Sequence, residues 1–346
     1  GISRDLRHAH PAKSDNGVMG QNAPPGPPEN PACFAYARTE RQPGSRRRPQ
    51  LGGGPVQVGV IGLGNIGGPV AGNLAADGHD VVVFDVDRER AAAVEGARAV
   101  ASVADVGAAS EVTVLSLPTP AIVRAVAEEW ATTAAPDAVL VDLSTNSPDV
   151  VRELGARLRT TGHHLVEAPL TGGAIGAQKR MLSFMVGGYD GAVARVKPVL
   201  EPLGRAFVHL GPLGLGNTMK LVNSLVAFTT TWVSLEGLSL AAKSGIPVPR
   251  AVEVLRTNGV ANFYLDRMVE YIDTRNGPTQ FALGLAAKDA GLIVETGRAL
   301  GVPTPVGAAV MQVLVGAIAA GLGDHDWADL VAAAERQGNV ELHWNT

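Results

Sequence analysis

The chain has little that would commit it to an oxidising compartment, a polyanion or a metal. Its single cysteine, Cys33, excludes an intramolecular disulfide and fits a reducing, cytoplasmic setting. There is no excess of positive charge: 29 Lys and Arg stand against 33 Asp and Glu, for a net charge of -4. A global basic field of the kind that holds phosphate backbones is therefore missing, and nucleic acid is not expected as a partner. The eight histidines show no ligand spacing, and His163 and His164 are adjacent, so no metal site is expected. Paired carboxylates, a P-loop and a nucleophilic serine elbow are also absent. The N-terminus has no continuous apolar run of the secretory kind.

One uncharged stretch, residues 302–322, raises the question of a membrane span. Pro303 and Pro305 delay the helix start to about Val306, and Ala and Gly fill much of the rest. The stretch is expected to be a buried, closely packed helix, and no membrane partner is expected. Asp324, His325 and Asp326 look like the start of a final helix.

What is present divides the chain in three. Residues 1–54 carry PPGPP, the basic run Arg46–Arg48 and GGG without periodicity, and are expected to be a disordered tail. Residues 55–211 alternate β-branched runs with Ala-rich amphipathic segments: strands are predicted over 56–61, 81–85, 111–117, 138–143, 163–169, 182–188 and 206–211. The helices between them, such as 65–77 and 121–130, make this an α/β, Rossmann-type, doubly wound parallel sheet. Residues 212–340 are expected to form an all-α C-terminal domain, with helices over 219–243, 249–258, 286–300 and 306–320.

The segment GLGNIG, residues 62–67, places Gly62, Gly64 and Gly67 directly after a strand and at the opening of a helix. Glycines there let the backbone, with Leu63, Asn65 and Ile66, approach a pyrophosphate at the positive end of the helix. Asp85 ends the next strand eighteen residues past Gly67, where its carboxylate can accept from ribose hydroxyls and repel a 2'-phosphate. NAD is therefore expected, with NADP possible through the nearby guanidinium of Arg88.

Two further clusters carry chemistry. Thr171, Gly172 and Gly173 follow a strand and offer a hydroxyl and open backbone N–H groups, either a carboxylate nest or a tight turn. Lys220 lies among apolar neighbours at a helix start placed near Asn217, where both the dipole and burial favour the neutral amine. A lysine so placed can transfer protons near neutral pH; a lysine on a surface helix would only snorkel. Asn223 and Ser224 share its helix face.

Taken in order, GLGNIG, SLPTP at 116–120, DLSTNSP at 142–148, EAPLTGGAIGA at 167–177, GPLGLGNTMKLVN at 211–223 and LAAKDAGL at 285–292 resemble the β-hydroxyacid dehydrogenase family of the 3-hydroxyisobutyrate dehydrogenase and tartronate semialdehyde reductase type. The resemblance implies a Rossmann domain followed by a helical domain, assembled as homodimers or homotetramers, that oxidises a small 3-hydroxy acid with a nicotinamide cofactor. It also implies roles by motif. Leu117, Pro118 and Thr145 would line the nicotinamide side, and Thr171, Gly172 and Gly173 would hold the substrate carboxylate. Lys220 would be catalytic, Lys288 would close over the cofactor, and Asp289 would steady Lys288.

Four positions depart from the family pattern: Glu167 for an aspartate, Thr171 for a serine, Ser224 for a second asparagine and Arg180 for a glycine. Ser224 bears on the choice of substrate, and Arg180 is a bulky charge near the carboxylate loop. Two other readings compete: a reductase of imines or larger carbonyl compounds, which in the resembling enzymes usually lacks this lysine, and a non-catalytic dinucleotide-binding scaffold with a basic tail. Phe263, Tyr264 and Trp232 are candidates for a pocket wall or, equally, for core.

Overall fold

Short β-branched runs and Ala-rich segments settle into nine strands and thirteen α-helices in the computed structural model, which describes residues 54–275 and 279–344. The tail, with Cys33 and Arg46–Arg48, lies outside the described residues apart from Gly54. In the first half β1 (Gln57–Ile61), α1 (Gly67–Ala76), β2 (Asp80–Phe84), α2 (Arg88–Ala92), β3 (Arg98–Ala99), α3 (Val103–Ala109), β4 (Val112–Leu115), α4 (Pro120–Trp130), β5 (Val139–Asp142) and α5 (Pro148–Thr160) alternate. Then come β6 (His164–Glu167), β7 (Leu170–Thr171), α6 (Gly173–Gln178), β8 (Leu182–Gly188), α7 (Asp190–Leu200) and β9 (Gly204–His209).

The strands line up as β3-β2-β1-β4-β5-β6-β8-β7, with β9 also on β8. From β3 to β6 every pairing is parallel. The doubly wound parallel sheet is as expected through β6; beyond it β8, whose direction the sequence left open, runs antiparallel through Val166↔Gly188 and Glu167↔Gly187. Pro169, with no N–H to give a ladder, separates β6 from β7, and Leu170 and Thr171 pair with β8 instead. Every residue of β4 and β5 is buried, because helices cover both faces: α1 and α7 on one, α3, α4 and α5 on the other.

After β9 the described residues form no further strand, only an isolated bridge between Ala282 and Asp326, and the helices are α8 (Leu215–Lys243), α9 (Val248–Thr257), α10 (Phe263–Thr274), α11 (Leu283–Leu300), α12 (Pro305–Ala319) and α13 (Leu330–Gly338). Leu221, Phe228, Trp232, Leu235 and Leu238 of α8 form the spine of their core. Each such side chain contributes about 1.5–3 kcal/mol when fully buried. Among the described residues α8 is the one helix long and apolar enough to cross a membrane, and its inner side faces other helices.

Two local expectations need correction. Helix α8 starts at Leu215 rather than near Asn217, on Gly214 in the left-handed region with φ 97° and no side-chain cap. Helix α12 is not buried all round: Gly307, Val310, Leu314 and Ala317 face the core, whereas Val306 and Val315 are at least half exposed. The final helix is preceded as expected, since Asp326 caps a 3-10 turn (Trp327–Asp329) that runs into α13.

Candidate active site

The loop from β1 to α1 is shaped by its glycines. Gly62 has φ 88°, and a Cβ there would fall 2.3 Å from the Ser116 carbonyl oxygen. At Gly67 a Cβ would lie 1.8 Å from the Gly62 carbonyl oxygen, so only glycine lets the helix start fold back on the strand end. Gly64 differs, because its Cβ position is open space. Leu63, Gly64, Asn65, Gly68, Arg90 and Gln178 border a cleft of about 300 Å³ at this point. Ile66, the cap position of α1, gives no side-chain hydrogen bond, which leaves that helix start to an anion. A pyrophosphate fits this cradle.

Asp85 Oδ2 accepts from Leu63 N at 2.6 Å and Oδ1 from Asp87 N at 2.8 Å. The carboxylate thus braces the glycine loop from the end of β2, while Asp87 caps α2. The cation bordering the cleft is Arg90, ion-paired to Asp87 at 3.2 Å, and not the expected Arg88. Two extra residues of helix carry Arg90 round toward the loop, a turn that strand-and-loop reading does not resolve.

The loops after β4 and β5 join beside the glycines. Leu117 N donates to Ser144 Oγ at 3.0 Å, and the Leu117 side chain approaches the Gly62 position to 2.9 Å of where a Cβ would stand. Thr145, half-buried, gives its carbonyl oxygen to Lys288 Nζ at 2.8 Å, from the far side of the chain. Pro118 is exposed at the rim. Ser147 caps α5 through Val150 N, as its place before Pro148 predicts.

Lys220 stands in the second turn of α8. The residue is half-buried, and burial pushes its amine below the ordinary lysine range. Asp289 opposes that shift and Lys288 adds to it, so α11 presents an anion and a cation to the same amine. Lys288 Nζ lies 3.1 Å from Asp289 Oδ1. Asp289 is 1 % exposed, and neither carboxylate oxygen has an aligned hydrogen bond. Asn223, half-buried, and Ser224, buried, follow Lys220 on α8.

At the second glycine loop Thr171 pairs with Ser183 across β7 and β8, Gly172 has φ 120° and Gly173 φ 61°. Gln280, from the segment before α11, comes within 3.6 Å of a Cβ placed at Gly173. No local pattern marks Gln280, because its neighbour is more than a hundred residues away. Arg180 turns away from this loop: it donates to Asp77 Oδ2 at 2.6 Å and to the Asn73 carbonyl at 2.9 Å. Its φ of 57° explains why a glycine suits the position. Of the three aromatics, Trp232 is buried in the helical core and Tyr264 packs against it, while Phe263 is half exposed.

Two family models match this chain in succession. Residues 57–211 match the NAD binding domain of 6-phosphogluconate dehydrogenase, and residues 214–334 match the NAD-binding domain of NADP-dependent 3-hydroxyisobutyrate dehydrogenase. The chain is 31 % identical over 293 residues to 2-(hydroxymethyl)glutarate dehydrogenase of Eubacterium barkeri, covering 83 % of this chain and 97 % of that one. It is 31 % identical over 263 residues to 3-hydroxyisobutyrate dehydrogenase of Pseudomonas aeruginosa, covering 72 % and 88 % respectively. Among solved structures, 3-hydroxyisobutyrate dehydrogenase of Mycobacterium tuberculosis with L-serine superposes with a TM-score of 0.74 at 27 % identity, over 81 % of this chain and 99 % of that one.

Proposed function

Because the chain belongs to the β-hydroxyacid dehydrogenase family and is an NAD(P)-linked oxidoreductase of hydroxy acids, we propose that it interconverts a small 3-hydroxy acid and its semialdehyde or keto form, with Lys220 as the proton carrier. The observation that carries this reading is Lys288 Nζ donating to the Thr145 carbonyl oxygen beside the Leu117 loop, from the helix whose Lys288 and Asp289 both act on the burial-shifted Lys220 amine.

The residues divide the work by their chemistry. Gly62, Leu63, Gly64, Asn65, Ile66 and Gly67 cradle the pyrophosphate, and Asp85 holds that loop and meets the adenine ribose. Asp85 favours NAD, and Arg90 is the cation through which NADP would enter. Leu117, Pro118, Thr145 and Lys288 enclose the nicotinamide end. When bound, the nicotinamide supplies the hydride acceptor or donor. Thr171, Gly172 and Gly173 take the substrate carboxylate, and Asn223 and Ser224 flank the hydroxyl. In the oxidative direction the neutral Lys220 amine takes the hydroxyl proton; in the reductive direction its ammonium returns one to the carbonyl oxygen.

The exposed apolar flanks of α8 and α12, among them Val226, Val233, Leu240 and Val306, fit a homodimer or homotetramer. The test of the function is a panel of 3-hydroxy acids and their semialdehydes, followed by reduced-nicotinamide absorbance with NAD and NADP in parallel. Turnover of at least one 3-hydroxy acid is expected, and cofactor binding without turnover of any member would overturn it.

A further inference from the structure

The catalytic helix begins without a cap of its own. Gly214 has no side chain to offer, yet the N–H groups of Gly214, Gly216 and Asn217 are all engaged, each by the carboxylate of Glu167. Glu167 is the last residue of β6 and is fully buried. Oε1 accepts from Gly214 N and, at 3.0 Å, from Gly216 N; Oε2 accepts from Asn217 N at 2.9 Å and from Asn217 Nδ2. Four donors on one carboxylate, all at a helix start, make a cap supplied from another strand.

The space is built for it. A Cβ on Gly187, the register neighbour of Glu167 on β8, would stand 2.2 Å from Oε1. A Cβ on Gly216 would stand 3.0 Å from Glu167 Cδ and 2.5 Å from the Met185 carbonyl oxygen. Strand, neighbouring strand and helix therefore all yield room to this one side chain.

The hold continues toward the other reactant. Asn217 is fully buried and accepts from Asn146 N at 2.7 Å through Oδ1. Asn146 Nδ2 donates to Asp142 Oδ2 at 2.6 Å, and Asp142 Oδ1 accepts from Ser144 N at 2.9 Å. Ser144 Oγ receives Leu117 N. Within this hydrogen-bonded path, Asn146 Oδ1 is a buried atom left without a partner. A continuous buried path thus joins the Leu117 loop to the helix turn directly before Lys220.

We propose that Glu167 is a positioning residue for Lys220: from the end of β6 it seats the first turn of α8, and so fixes where the amine stands relative to the nicotinamide-side loops. The proposal rests on the assignment of Lys220 as proton carrier. Glu167→Gln puts an NH2 group against backbone donors, while the Asp142, Ser144 and Leu117 contacts stay intact. The expected result is a fall in kcat of tenfold or more, with the NAD Kd within twofold. Hydrogen exchange in a peptide spanning 213–221 is expected to be at least tenfold faster, with β1 and β4 unchanged. Glu167→Asp keeps the charge on a shorter arm and is expected to regain part of the lost kcat.

Unchanged exchange in that peptide overturns the proposal, as does faster exchange with kcat within twofold of wild type, or a matching loss of NAD affinity. If Glu167→Gln does not fold, Glu167→Asp decides alone: a threefold or larger loss of kcat at constant NAD Kd supports the seat, and unchanged kcat removes it. Should the wild type turn over no hydroxy acid, the proposed function fails separately. Exchange at 213–221 and the rate of Lys220 acetylation by acetic anhydride need no substrate: faster exchange with an altered acetylation rate still supports the seat, and no change in either overturns it.

Discussion

Lys288 Nζ reaches across 143 residues of sequence to donate to the Thr145 carbonyl oxygen at 2.8 Å, and is the same ammonium that lies 3.1 Å from the buried Asp289 carboxylate. One side chain thus ties α11 to the loop after β5 and balances an acid inside the helical core. Replacing Lys288 by Met keeps the apolar stem and removes both contacts. The expected outcome is a rise of about tenfold in the Kd for NAD, as for a loss of about 1.4 kcal/mol of binding. Stability should also fall by about 1–3 kcal/mol, as for a buried acceptor left unpaired. Titration of the cofactor by fluorescence and urea unfolding measure the two separately.

The proposed role of Lys220 as proton carrier makes a prediction about pH. Burial holds its amine below the usual lysine range, so the neutral base is available at lower pH than an exposed lysine would allow. Oxidation of the hydroxy acid should rise with pH along a limb below that range, and reduction, which needs the ammonium, should fall along the same limb. Lys220→Ala should lower kcat by at least a thousandfold, abolish the limb and leave the NAD Kd within about twofold. Rates of both directions from pH 5 to 10 check the sign.

Asp142 makes a stability prediction. Burial, opposed by hydrogen bonds from Ser144 and Asn146, pushes its carboxyl up from 3.8 to about 6. The folded state then binds the extra proton between those two values, so this residue's contribution to stability falls as pH rises through that window and is constant above it. Wild type measured against Asp142→Asn should show its greatest relative stability near the lower end of the window. The difference between the two urea midpoints, taken from pH 4 to 7.5, tests this. A difference that grows with pH contradicts it.

Gly62 tests the cradle. Alanine there must adopt a positive φ and clear the Ser116 carbonyl, 2.3 Å away. We expect Gly62→Ala to lose at least tenfold in NAD affinity and about 1–3 kcal/mol of stability. Gly72→Ala, where a Cβ meets nothing within 4 Å, should leave affinity unchanged. Calorimetric titration of both variants gives the comparison.

Much of this was legible in the residues, for physical reasons. Strands β1, β2, β4, β5 and β6 read as buried because β-branched runs sit between turn-forming residues, and GLGNIG reads as a cradle because its glycines follow such a run. The reversal at β8 was not legible, since LSFMVGG has the same composition whichever way it pairs. Its direction comes from Pro169 and from the six-residue α6, too short a crossover to carry a parallel return. The apolar residues of α12 could not say which of them meet the core, because the helix lacks a polar side. Glu167, Asn217, Gln280 and Arg90 were missed as site residues for a different reason: each acquires its place from a partner set by the tertiary fold rather than by spacing.

Arg180 bears on how the cleft can move. With Asp77 and the Asn73 carbonyl as its anchors, and Asn73 Nδ2 donating to the Ala177 carbonyl oxygen at 2.8 Å, it bolts α6 to α1. The two glycine loops at the heads of those helices therefore travel as one rigid jaw. Across the cleft from that jaw, the helical half reaches back through the Thr279 carbonyl, which accepts from Asn65 Nδ2, and through Lys288 Nζ on the Thr145 carbonyl, so both ends of the cleft are closed by contacts between the halves.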